Sequence, residues 1–123
     1  MKVVLSIKPE FADKIFEGTK RYEFRRAIFK NTEIKKVIVY CSSPVQMIIG
    51  EFEIDRIITY DLKTLWQKTK KYAGISEDFF FQYFGEKELG FAIKIKSTKL
   101  YRRPKCIRTT FNLFPPQSFL YLA

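Results

Sequence analysis

The stretch "VVLSIKPEFADKIFEGTKRYEFRR", residues 3–26, constrains the fold of this chain more than any other. Its opening is rich in β-branched residues and reads as a short strand. Pro9 suits the first turn of a helix, Glu10 favours the positive end of the helix dipole, and Gly18 suits a left-handed stop. Between them Phe11, Ala12, Ile15 and Phe16 share one helical face, which predicts a core-facing stripe. After Gly18 the period changes to two. Tyr22 and Phe24 then fall on one face of a strand, and Arg21, Glu23 and Arg25 on the other.

Downstream, "KKVIVYCSS" reads as a strand ending in a turn at Ser43-Pro44. "QMIIGEFEIDRIITYDL" reads as a long strand interrupted at Gly50 by a bulge or tight bend. "TLWQKTKKYAG" and "SEDFFFQYFG" read as helices, the first stopped by Gly74, the second capped by Ser76 and stopped by Gly85. "LGFAIKIKSTKLY" is a strand with Phe91, Ile93 and Ile95 inward. "RRPK" to "FPP" reads as an irregular basic connection, and "QSFLYLA" as a closing strand. The order β-α-β-β-β-α-α-β-β contains no repeating βαβ series, which argues against a doubly wound sheet. A mainly β, α+β fold is expected: a small, mostly antiparallel barrel with flanking helices, in one domain over 1–123.

The opening block resembles the ASCH domain of the PUA-like superfamily. That family carries a strand, a helix and a Gly-x-Lys-x-x-Glu-x-Arg pattern entering a strand, met here by Gly18, Lys20, Glu23 and Arg25. The likeness continues through "YCSSPVQMIIGEFEI" and "LWQKTKKYAGISEDFFFQYF" to "PPQSF", and is greatest to small stand-alone prokaryotic proteins. It implies a β-barrel with a cleft beside the motif, and recognition of RNA or a modified nucleotide. It also raises a hydrolase alternative. Some similar proteins are amidohydrolases on acetylated cytidine that use a Lys, a Thr and a Glu, and others of the superfamily are proposed to cleave RNA. Lys20 matches that lysine, Glu23 stands at the threonine position, and Ala73 and Gly74 occupy the region of the glutamate.

The chemistry of the motif can be argued separately. Lys20 is a mobile point charge and Arg25 a planar fork, both suited to phosphate or a base edge. Glu23 shares a strand face with Arg25 and either orients it or accepts from an exocyclic amine. Spacing alone slightly favours a salt-bridge ladder on a wet face, and the resemblance favours a site. Lys8, at the end of the first strand, is a candidate for one wall of the same cleft. The Ser43 turn, Gln117 and Ser118 are further candidate ligand contacts, each also explained by turn or backbone chemistry. The basic tract Lys99, Arg102, Arg103, Lys105 and Arg108 is a candidate surface for tracking a phosphate backbone. Trp66 and the Phe79, Phe80, Tyr83, Phe84 set are most simply core.

Composition narrows the classes. A net charge of +10, from 23 Lys and Arg against 13 Asp and Glu, favours a polyanionic partner, nucleic acid above all. The absence of histidine removes the commonest general base and metal ligand. Cys41 and Cys106 lie too far apart in sequence to form a ligand pair, and the Glu51, Glu53, Asp55 row reads as a solvated strand face, so neither metal nor cofactor is expected. The thiols read as reduced, no segment reads as a signal peptide or membrane span, and a cytoplasmic location is expected.

Overall fold

The computed structural model describes residues 1–122. The chain runs β1 (Lys2–Ile7), α1 (Pro9–Glu17), β2 (Tyr22–Arg25), β3 (Lys36–Cys41), β4 (Met47–Asp61), α2 (Leu62–Thr69), a 3₁₀ turn (Lys70–Tyr72), α3 (Glu77–Phe84), β5 (Leu89–Lys105), α4 (Ile107–Phe111) and β6 (Phe119–Leu122). The strands form one mixed sheet in the order β2-β5-β4-β3-β1-β6. Every pairing is antiparallel except β1 with β3, whose register sets Val3 against Val37 and Ile7 against Cys41. A parallel pair needs a crossover, and α1 with β2 supplies it.

The α+β, mostly antiparallel class expected from the sequence is present, but the ladder is not closed. β2 and β6 are its two edges. A side chain, not a backbone ladder, reaches between these edges. The Arg25 Nη2 on β2 donates to the carbonyls of Ser6 on β1 (3.2 Å) and of Ser118 just before β6 (3.4 Å).

Three apolar clusters fix the layers. Val3, Leu5, Ile7, Val37, Val39 and Phe52 meet Ala12 and Ile15 of α1 on one face. Val4, Ile38 and Ile48 project from the other face onto Ile107 of α4. β1 is therefore covered on both sides, which explains its consecutive apolar residues Val3, Val4 and Leu5. The third cluster joins Phe24 and Ala92 to Leu65, Trp66, Phe80 and Phe84 of α2 and α3.

Local signals set the boundaries. Gly18 ends α1 at φ 89°, its N–H reaching back to the carbonyls of Lys14 and Ile15. The Ser76 hydroxyl accepts from the Phe79 N–H at 3.1 Å and caps α3. Gly50 is required by close approach, since a Cβ there would lie 2.6 Å from the Lys99 carbonyl oxygen and from the Phe16 ring. The register shifts beside it, as a bulge demands. One reading is corrected: β5 continues as strand through Arg102, Arg103 and Pro104 to Lys105, paired with β4. Its far half is exposed apart from half-buried Tyr101, so it lacks the alternation by which a strand is recognised. Among the described residues no helix is long and apolar enough to cross a membrane.

A charged cleft between β2 and α3

β2 alternates as the sequence requires. Tyr22 and Phe24 turn toward α2 and α3, and Glu23 and Arg25 turn the other way. A cleft of about 150 Å³ opens where β2, the start of α1 and α3 meet. Its polar lining includes Lys8, Lys20, Glu23 and Arg25, and its apolar walls include Phe11, Phe24, Phe79 and Tyr83. The Phe11 and Phe79 rings meet edge to face at 5.3 Å. The Tyr83 hydroxyl donates to the Phe24 carbonyl at 3.2 Å, tying α3 to β2.

Lys20 is only 2% exposed. Its Nζ donates to the Ala73 carbonyl at 2.7 Å and lies 4.8 Å from the Phe24 ring centre and 5.5 Å from that of Phe11. Burial lowers its pKa from 10.5 to about 8, against the opposing pull of the Glu23 charge. Gly74 makes room for it: a Cβ there would lie 2.5 Å from the Lys20 Cβ, and φ is +69°. The carbonyls of Tyr72, Ala73 and Gly74 accept in turn from the Arg21 N–H (2.9 Å), the Lys20 Nζ (2.7 Å) and the Lys14 Nζ (3.1 Å). Three consecutive carbonyls thus hold the chain on both sides of α1's end.

Glu23 is buried, which raises its pKa, while the Arg25 and Lys20 charges pull it back down. Its Oε2 stands 3.4 Å from the Arg25 Nε. That contact is ionic but poorly aligned, and Nε has no hydrogen-bond acceptor. Arg25 is held by its other end, through the Ser6 and Ser118 carbonyls.

The structure therefore brings Lys8, Lys20, Glu23 and Arg25 to one cleft, with Ser118 joining through its backbone. Ser43 and Gln117 are exposed and do not line it. Arg21 lies outside it and stacks on Tyr72, its guanidinium 4.2 Å from the ring centre. The basic residues Lys99, Arg102, Arg103 and Lys105 lie on the exposed far half of β5, and Arg108 on α4. Lys105 packs over Tyr101 and Arg108 over Phe114. Glu51 is engaged by Lys36 (2.8 Å) and the Tyr101 hydroxyl (2.7 Å), and Asp55 by Lys94 (3.6 Å). Among the described residues no group of His, Cys, Asp or Glu could hold a metal ion. Phe80 and Phe84 are core, as their spacing suggested, but Phe79 and Tyr83 are cleft wall. The i, i+4 spacing of Phe79 and Tyr83 was the available signal for a second face.

The family model of the ASCH domain matches residues 5–99. A Zymomonas mobilis protein named ASCH domain-containing ribonuclease is 32% identical over 126 residues, covering 98% of this chain and 84% of its own. The crystal structure of ASCH from Zymomonas mobilis overlays with a TM-score of 0.90 at 31% identity, covering 99% of this chain and 87% of that one. A Ureaplasma parvum protein named ATP synthase subunit alpha is 30% identical over 122 residues, which is 98% of this chain but 15% of that protein. With the family pattern running through the cleft itself and the fold shared over nearly its whole length, this chain belongs to the ASCH domain family.

Proposed function

We propose that this chain captures RNA or a modified nucleotide, seating one unstacked base in the Lys20–Glu23–Arg25 cleft. The observation that carries the proposal is a set of buried charges, donor and acceptor together, inside aromatic walls. Proteins that read single-stranded RNA splay bases out, stack them on aromatic side chains and bond their free edges. The small cleft volume suits one ring system and not a larger ligand. The exposed cations Arg102, Arg103, Lys105 and Arg108 would add contacts to phosphate along the strand. The Zymomonas relative's name, a ribonuclease, supports an RNA partner.

The test is fluorescence anisotropy with short single-stranded RNA over a range of salt. Affinity should fall steeply as salt rises, because bound cations release counterions from the RNA. Arg25→Ala should weaken binding by roughly 1–3 kcal/mol without unfolding the protein. Absent binding at low salt, or binding indifferent to salt, defeats the proposal.

A second, hydrolytic reading is favoured by one observation: Lys20 is pushed down to about 8 while Glu23 is pushed up, as an acid–base pair requires. On an RNA substrate the neutral Lys20 amine would take the proton of a 2′-hydroxyl, whose oxygen then attacks the adjacent phosphorus. A protonated Glu23 would give its proton to the departing 5′-oxygen, leaving a 2′,3′-cyclic phosphate, with Arg25 facing the developing charge. An acylated cytidine is the alternative substrate. Cleavage with cyclic-phosphate ends, lost in Lys20→Met and Glu23→Gln while binding survives, would establish this reading. Uncut RNA and uncut acylated nucleoside over pH 6–9 would leave the protein as a binder only.

A further inference from the structure

We infer that the cleft selects guanine, the Glu23 carboxylate accepting the two adjacent N–H donors of its pairing edge. This rests on the RNA-binding reading above and names the base. Its starting point is a carboxylate in the cleft lining with spare acceptor capacity. The Glu23 side chain is more than nine-tenths buried and lines the cleft. Among the described residues its carboxylate has one charged contact, the poorly aligned Arg25 Nε at 3.4 Å, and accepts no side-chain hydrogen bond. A carboxylate has about four acceptor positions, so this one keeps capacity for N–H donors that a ligand brings into the cleft.

The bases differ in what they bring. Guanine alone presents two donors side by side, N1–H and the N2 amine, which match the two oxygens of one carboxylate. Cytosine and adenine offer one amine beside a ring-nitrogen acceptor, whose lone pair would face the second carboxylate oxygen. Uracil offers one N–H flanked by two carbonyl oxygens, which a carboxylate repels. The rest of the cleft fits the same choice. Guanine's O6 and N7 are acceptors, and the cleft holds two cationic donors, Lys20 and Arg25. Burial raises the Glu23 pKa, and the Arg25 and Lys20 charges pull it back toward the ionised form that accepts both donors. The Phe11, Phe24, Phe79 and Tyr83 walls supply stacking surface for a flat ring.

The experiment uses fluorescein-labelled nine-nucleotide uridine RNAs whose central position is G, inosine, A, C or U, at pH 7.5 and low salt. Inosine is guanosine without the N2 amine, so it removes one of the two donors and nothing else. The expected result is central G binding about tenfold tighter than A, C or U, with inosine between. Glu23→Gln places an amide N–H where an acceptor was, and should flatten the preference while leaving salt-sensitive binding to all five RNAs. Its fold is checked by circular dichroism. If that variant does not fold, the guanosine–inosine comparison on the wild-type protein decides alone. If all five bind equally and with steep salt dependence, the guanine assignment is wrong and the RNA reading stands. If C or A is preferred, Glu23 acts as a neutral acid and the assignment is again wrong. If none binds, both fall.

Discussion

Lys20→Met should leave the protein at least as stable as the wild type at pH 7, and the margin should shrink in alkali. Burial lowers the Lys20 pKa from 10.5 to about 8. At roughly 1.4 kcal/mol per pH unit, carrying that charge into the fold costs about 3 kcal/mol below pH 8. The unfolded chain keeps the proton up to its ordinary value, while the folded chain releases it near 8. Between those values the unfolded state binds more protons, so the Lys20 contribution to stability rises with pH. Methionine keeps the unbranched stem beside Gly74 and under the Phe11 and Phe24 rings, and discards the charge. It also orphans the Ala73 carbonyl, a loss of about 1–3 kcal/mol. The variant should therefore match the wild type at pH 7 or exceed it by up to about 2 kcal/mol. By pH 9.5 about 2 kcal/mol of the wild-type penalty is gone, and the comparison moves toward the wild type by that amount. Urea denaturation of both proteins at the two pH values measures this, and titrating groups not coupled to Lys20 cancel in the double difference. A difference that does not change between pH 7 and 9.5 refutes the reasoning, as does a variant less stable by more than about 3 kcal/mol at both.

Gly74→Ala places a side chain at φ +69° and 2.5 Å from the Lys20 stem, so urea denaturation should show a loss of about 1–3 kcal/mol. Phe80→Ala opens a hole at a ring packed edge-on against Phe24 and Phe84 and tilted against Trp66, and the midpoint should fall by an amount worth about 3–5 kcal/mol. Ser76→Ala removes the cap of α3, and because α3 supplies the Phe79 and Tyr83 wall, a thermal melt should drop by an amount worth about 1 kcal/mol while RNA affinity also weakens.

Much of the fold was legible because local chemistry and global packing agree at the punctuating residues. Pro9, Gly18, Ser76 and Gly85 stand where their backbone preferences place them, and α1 and α3 run between those marks. What could not be read depends on distant partners. The parallel pairing of β1 with β3 follows from a crossover through α1 and β2, which no local period encodes. The contact across the open ladder depends on Arg25 meeting carbonyls 19 and 93 residues away. The last four residues of β5 hid as a loop because Pro104 and a row of charges look like a connection, and as an exposed edge beside β4 they carry no alternation.

The site was half legible for a related reason. Glu23 and Arg25 share a strand face by parity, and their convergence follows from β2 alone. Lys20 does not share that parity. It precedes the strand and lies under the Phe24 ring, on the side that alternation assigns to apolar residues. A lysine there would ordinarily swing to solvent. It stays because the Ala73 carbonyl, 53 residues along the chain, accepts its hydrogen bond, and because Gly74 beside it has no side chain to push it out. Residues 73 and 74 thus contribute a carbonyl and a space and no carboxylate. Neither leaves a charge in the sequence to find. A backbone acceptor holds the ammonium without neutralising it, so the lowered Lys20 pKa and the unfilled Glu23 carboxylate arise from one arrangement: charges buried beside partners that satisfy them only in part. Local rules fail at such a place because its charges are held by partners far along the chain and not by sequence neighbours.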